Sequence, residues 1–192
     1  MLNIGSQSPG SYDPYVKFNG KAGRWYVKGE DGNEKEITPT SFVADFANIK
    51  TGWIMFVAGQ APSKVWDENI STPAAKPSDG HKRGFSLRLF SPNTFGGVVE
   101  LSSSSMHICA AINEVYTAYA NDVQNNKGML PVVKYTGSAP QKDPKGTNYK
   151  PNFVIEKWVA RPAELESEYE QSAPVAVAKA VAPPVTNSVS EF

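Results

Sequence analysis

Gly84–Gln124 reads GFSLRLFSPNTFGGVVELSSSSMHICAAINEVYTAYANDVQ, and it decides the fold. Over Gly84–Ser91, Phe85, Leu87 and Leu89 fall on one face and Ser86, Arg88 and Phe90 on the other, the period of a β-strand. Pro92-Asn93 through Gly96-Gly97 then turns the chain into a second strand, Val98–Leu101. Ser102–Ser105 offers helix caps. Ile108, Ile112, Val115, Tyr116, Tyr119 and Val123 recur at helical spacing, which predicts an amphipathic helix from about Ser104 to Gln124, stopped by Asn125, Asn126 and Gly128. Two strands joined by a short turn and followed by one helix do not make the βαβ repeat of a doubly wound sheet.

Tyr15–Asn19 and Arg24–Lys28 both alternate, and Asn19-Gly20 between them signals a hairpin. Asp31-Gly32 marks another turn before a short strand at Glu36–Ile37, while Phe42–Ile49 fits either a strand or a helical turn. Thr51–Ala58, TGWIMFVA, is apolar on both sides and is expected as a central, doubly covered strand. Gln60–Arg83 contains Pro62, Pro73 and Pro77, and a connection this long is usually functional or mobile. Leu130–Thr136 and Asn152–Ala160 read as strands around a polar loop, 137–150, with Lys142, Lys145 and Lys150 at its basic tip. The expected class is mainly β: a small antiparallel barrel of the oligonucleotide-binding (OB) kind, with one inserted amphipathic helix. Residues 1–14 are expected as a flexible arm, 15–162 as the domain, and 163–192 as an acidic, then Ala/Pro-rich, flexible tail.

The chain is formally neutral, yet 18 of its 19 Lys and Arg and 14 of its 19 Asp and Glu precede residue 163. A net +4 body therefore carries a net −4 tail, which runs through Glu164, Glu166, Glu168 and Glu170 and closes on Glu191-Phe192. Cys109 stands alone, so no disulfide framework is expected within one chain. The first residues carry neither a basic region nor an apolar core of a secretory leader, and no apolar run approaches a membrane span of about 18 residues. A cytoplasmic setting follows. His81 and His107 have no third partner at zinc-ligand spacing, and no phosphate loop or nucleophile elbow occurs. Neither a catalytic residue nor a metal or other cofactor is expected, and the chain reads as a non-enzyme.

Binding an unpaired strand needs cations for phosphates and flat rings for bases. Arg24, Tyr26 and Lys28 share one face of their strand, Lys17 lies beside Tyr15, and Arg88 shares a face with Phe90. These are the candidate DNA contacts, with Lys82, Arg83 and Lys134 extending the phosphate track and Trp66 as a further stacking ring. Trp53 and Trp158 read as core. The acidic tail could compete for the same groove, and Phe192 offers a ring and a carboxylate for capture by a partner.

The segments KTGWIMFVAGQAPSKVWD (50–67), HKRGFSLRLFSP (81–92), FGGVVELSSSS (95–105), LPVVKYTGS (130–138) and TNYKPNFVIEKWVARPAEL (147–165) together resemble bacteriophage single-stranded DNA-binding proteins of the OB-fold type. The resemblance spans most of Tyr15–Leu165 and implies sequence-independent binding and protection of single-stranded DNA during phage replication or recombination, in the infected host's cytoplasm. It also implies recruitment of replication or recombination proteins by a tail ending in Phe, and it allows an oligomer. Here Glu191-Phe192 matches that ending, whereas Pro183–Ser190 lacks the usual acid run. The alternative is a phage structural or assembly protein that self-associates without binding DNA.

Overall fold

The computed structural model describes residues 14–28, 32–58, 60–144 and 146–166. The tail with Glu191 and Phe192, and nearly all of the N-terminal arm, lie outside these residues. Ten strands form one mixed sheet: β1 (Tyr15–Asn19), β2 (Arg24–Lys28), β3 (Glu34–Ile37), β4 (Ser41–Ala44), β5 (Lys50–Met55), β6 (Ser63–Trp66), β7 (Lys82–Ser91), β8 (Gly97–Ser103), β9 (Met129–Asp143) and β10 (Gly146–Ala160). A short helix, α1 (Pro92–Phe95), joins β7 to β8, and α2 (Met106–Asp122) joins β8 to β9. The main path runs β10-β9-β4-β7-β8-β1-β2-β3, with β5 paired to β7 and β6 paired to β5. The pairs are antiparallel except β1 with β8, where Tyr15 lies beside Glu100.

The ten-residue β7 organises the sheet because β4 and β5 share one of its edges. Leu89 and Phe90 pair with β4, and Lys82–Ser86 pair with β5. The ambiguous stretch Phe42–Ile49 is therefore both things: a strand, then a corner whose 3₁₀ turn is Phe46–Asn48. Buried Asp45 sits at this corner and takes both guanidinium nitrogens of Arg161 at 2.8 Å, while Asn48 Nδ2 donates to it at 3.0 Å. The end of β10 is thereby pinned to the β4–β5 corner.

Phe85, Leu87 and Leu89 of β7 enter the core with Val16, Trp25, Phe42, Val99, Leu101 and Val133. α2 covers this face through Ile108, Ile112, Val115 and Tyr119. Tyr119 stacks on Trp158 of β10 at 5.6 Å, and Phe46 meets both Tyr116 and Tyr119. The sheet curls until its ends meet across the interior: Trp25 on β2 touches Tyr135 on β9 and Phe153 on β10, with ring centres 5.8 and 6.0 Å apart. At the rim, Tyr149 N–H donates to Gly20 O at 2.7 Å. No ladder among the described residues joins β10 to β2 or β3, so the sheet is curled but open.

Three expectations change. Thr51–Ala58 is not a doubly covered strand: β5 ends at Met55, Trp53 is half-buried, and Phe56 and Val57 are exposed. The polar loop 137–150 is mostly strand, because β9 and β10 keep pairing from Ser138–Pro151 out to Asp143–Gly146. The folded body also runs past Pro162. A 3₁₀ turn, Ala163–Leu165, packs on β7 and β8, with Leu165 buried and Glu164 O within 3.5 Å of Arg88 Nη2.

Candidate nucleic-acid interface

Ladder register fixes which side chains share the outer face of the sheet. β1 and β2 place Tyr15 opposite Lys28 and Lys17 opposite Tyr26. Each ammonium lies over the ring across from it: Lys17 Nζ is 5.6 Å from the Tyr26 ring centre and Lys28 Nζ 5.5 Å from that of Tyr15. Tyr15 is 40 % exposed while Lys17, Tyr26 and Lys28 are half-buried, so this two-by-two lattice of rings and cations is partly open to solvent. β3 borders it with acids: Glu34 pairs with Lys17 at 2.5 Å and Glu36 with Arg24 at 3.0 Å. These pairs are exposed, hence weak and easily screened, and a phosphate can displace either carboxylate.

The same face continues through β8. Glu100, beside Tyr15, accepts from Lys64 Nζ at 2.5 Å and from Ser86 Oγ at 2.8 Å. Lys64 in turn lies 5.6 Å from the Trp66 ring centre. Lys50 is opposite Ser86 and on the same side. Burial pushes its pKa down, Glu100 opposes that shift, and Lys64 adds to it. An ammonium short of water gains more than an exposed one from acquiring a phosphate. Lys50 and Lys64 were not among the sequence candidates; for Lys50 the signal was the two-residue step Lys50, Gly52, Ile54, which runs into the apolar stretch from Thr51.

Other sequence candidates scatter. Lys82 is exposed at the start of β7, on the outer side. Lys134 is exposed on β9 opposite Ser41, also outward, but four strand spacings from β1, roughly 19 Å. Arg88 is corrected: it is 5 % exposed, beneath the 163–165 turn, and has no surface on which to meet a phosphate. Alternation identified its face but could not reveal that the chain returns to cover it. Phe90 shares that face and is half-buried between Val43 and Val98, so it is packing more than platform.

Arg83 points to the other side of the β5–β6 hairpin, 5.3 Å from the ring centre of Trp53, with Lys76 Nζ at 5.9 Å from the same ring. Its main partner is Asp67, held through two hydrogen bonds of 2.5 and 2.7 Å. The Asp67 carboxylate also accepts from Thr51 Oγ1 at 2.6 Å and Ala74 N–H at 2.8 Å, and Trp53 Nε1–H donates to Ala74 O at 2.8 Å. Buried His81 closes the segment, with Ser63 Oγ 3.1 Å from Nε2 and Ser78 Oγ 2.8 Å from Nδ1. The irregular stretch after β6 is thus tied down at both ends.

The Arg83 hydrogen bond holds the Asp67 carboxyl well below the usual carboxylate range; burial opposes this, and Thr51 and Ala74 reinforce it. A depressed folded-state pKa stabilises fully above the ordinary value of about 3.9, and the contribution disappears as pH falls further. Asp67→Asn should cost about 1–2 kcal/mol at pH 7, a modest figure because Arg83 faces solvent. Urea midpoints taken from pH 7 down to pH 2.5 should show wild type and variant converging; a constant gap would contradict the assignment.

Among the described residues no group of three His, Cys, Asp or Glu is placed to hold a metal ion, and no helix is long and apolar enough to cross a membrane. No family model matches the chain, and neither a curated protein nor a solved structure matches it.

Proposed function

We propose that this protein binds single-stranded DNA with little regard to sequence and sheathes transient single strands in phage replication or recombination. The observation that carries the reading is the partly exposed Tyr15–Lys28 and Lys17–Tyr26 lattice, which supplies rings for bases and cations for phosphates on one face. Lys64, Trp66 and Lys50 prolong it across β8. The curled sheet is read as an OB-like barrel left open between β10 and β3, with Tyr149 of β10 bonded to Gly20 in the β1–β2 turn.

Fluorescence anisotropy with a labelled dT oligonucleotide over a salt series tests this. Wild-type affinity should fall steeply with salt. Tyr26→Ala should weaken binding roughly tenfold with little change in melting temperature, since a stacked base is worth about 1–3 kcal/mol. Lys28→Gln should lower the log–log salt slope by about 0.7. Salt-insensitive or absent binding overturns the reading.

A structural or assembly role is the second reading. It is favoured by the exposed apolar side chains Phe56, Val57 and Val65 on the β5–β6 hairpin, which suit self-association. Concentration-dependent sedimentation without DNA binding would select it.

A further inference from the structure

β6 is an edge: among the described residues it pairs with β5 alone. Asp67 N–H donates to Thr51 O at 2.9 Å, directly across the ladder, and bonded pairs alternate along antiparallel strands. Val65 is therefore the next residue bonded to β5, opposite Trp53, and the backbone N–H and C=O groups of Lys64 and Trp66 point to the open side. Four of the seven large apolar or aromatic side chains exposed among the described residues gather at this hairpin. Val65 is in the middle of β6, Phe56 and Val57 precede the strand, and Ile70 follows it.

The edge strand β3 is guarded by contrast. Antiparallel self-pairing about Lys35 or Glu36 would set like charges opposite each other and keep a second copy away. β6 is self-complementary. Paired antiparallel about Val65, it sets Val65 against the partner's Val65 and Lys64 across from the partner's Trp66, one diagonal step from the partner's Glu68. No like charges are directly opposed. Ile70 lies five residues after Val65, and Gln60 five before it, so this register carries each Ile70 to the loop that holds the other copy's Phe56 and Val57.

We propose that β6 is the seam of a two-fold dimer, in which two copies of this chain pair antiparallel about Val65 and each Ile70 covers the other's Phe56 and Val57. The two-fold stands normal to the sheet, so the outer faces of both copies stay on one side. The seam does not depend on the single-strand reading and is measured without DNA. A dimer that also binds dT keeps that reading, and one that does not selects the assembly role.

Sedimentation velocity over a wide concentration range tests the seam. Wild type should pass from monomer to dimer as concentration rises. Val65→Lys sets two ammonium groups against each other at the axis and should stay monomeric throughout. Val65 is 37 % exposed, so the melting temperature of this variant should change little. A cysteine pair fixes the register independently of the lysine variant. On the two-fold, Val65 forms a non-hydrogen-bonded pair with its copy, with Cα atoms about 4.5 Å apart, which a disulfide can span. In a Cys109→Ser background, oxidised glutathione should convert Val65→Cys to a covalent dimer, whereas Ile70→Cys, roughly 30 Å from its copy, should stay single. A wild type that is monomeric at every concentration, a Val65→Lys variant that still dimerises, or equal cross-linking at the two cysteine positions overturns the proposal.

Discussion

Arg161→Met is expected to destabilise the protein by about 3–5 kcal/mol, because it leaves the Asp45 carboxylate buried without its countercharge. Asp45 is 1 % exposed, and both guanidinium nitrogens of Arg161 bond it. The loss extends beyond the pair. Arg161 Nη1 also donates to Leu165 O at 3.2 Å, so the turn covering Arg88 loosens at the same time. For a chain of this size the melting temperature should drop by roughly 6–20 °C. The double variant Asp45→Leu/Arg161→Met should recover most of the loss, since it removes both charges from a buried site. Urea midpoints for the two variants decide the matter. A single-variant effect under about 1 kcal/mol would mean that water reaches Asp45 and that the β10 end is not locked to the corner.

That corner also shows what the sequence could and could not disclose. The β1–β2 hairpin was legible because alternation and Asn19-Gly20 are local signals, although the loop is longer than a two-residue turn. Gly23 takes the left-handed conformation, at φ 68°, and Asn19 Oδ1 accepts from the N–H groups of Lys21 and Ala22. α2 was legible from its buried stripe, within two residues at each end. The outer arm of β9 and β10 was not. Its Gly, Pro and Lys content reads as loop, and only the pairing partner makes it strand. The Asp45–Arg161 bridge joins residues 116 apart, a distance that no pattern in one sequence reports.

The candidate site divides in the same way. The Tyr–Lys lattice followed from period two on neighbouring strands, since a register that sets Tyr15 against Lys28 also sets Lys17 against Tyr26. Arg88 obeyed the same period and failed as a surface cation, because what covers a face depends on where the chain later returns. Trp53 failed in the opposite sense. An apolar run suggested burial on both sides, whereas β6 is a short edge strand and leaves the indole to Arg83 and Lys76.

Gly52→Ala is expected to be nearly as damaging as loss of Arg161, about 3 kcal/mol, for a steric reason. The added Cβ would overlap the Val65 carbonyl oxygen and lie 2.8 Å from Trp66 Cα. Both are backbone atoms of the paired strand, so no rotamer change relieves the clash, and β6 must move away from β5. Gly20→Ala is the control. Its Cβ would meet only Tyr149 O, at an ordinary 3.8 Å, and the change should stay within about 0.5 kcal/mol. Hydrogen exchange adds spatial resolution: Gly52→Ala should accelerate exchange at the β5–β6 amides before those of the β7–β8 ladder, because among the described residues β6 pairs with β5 alone. An unchanged midpoint would mean that β5 and β6 do not approach this closely.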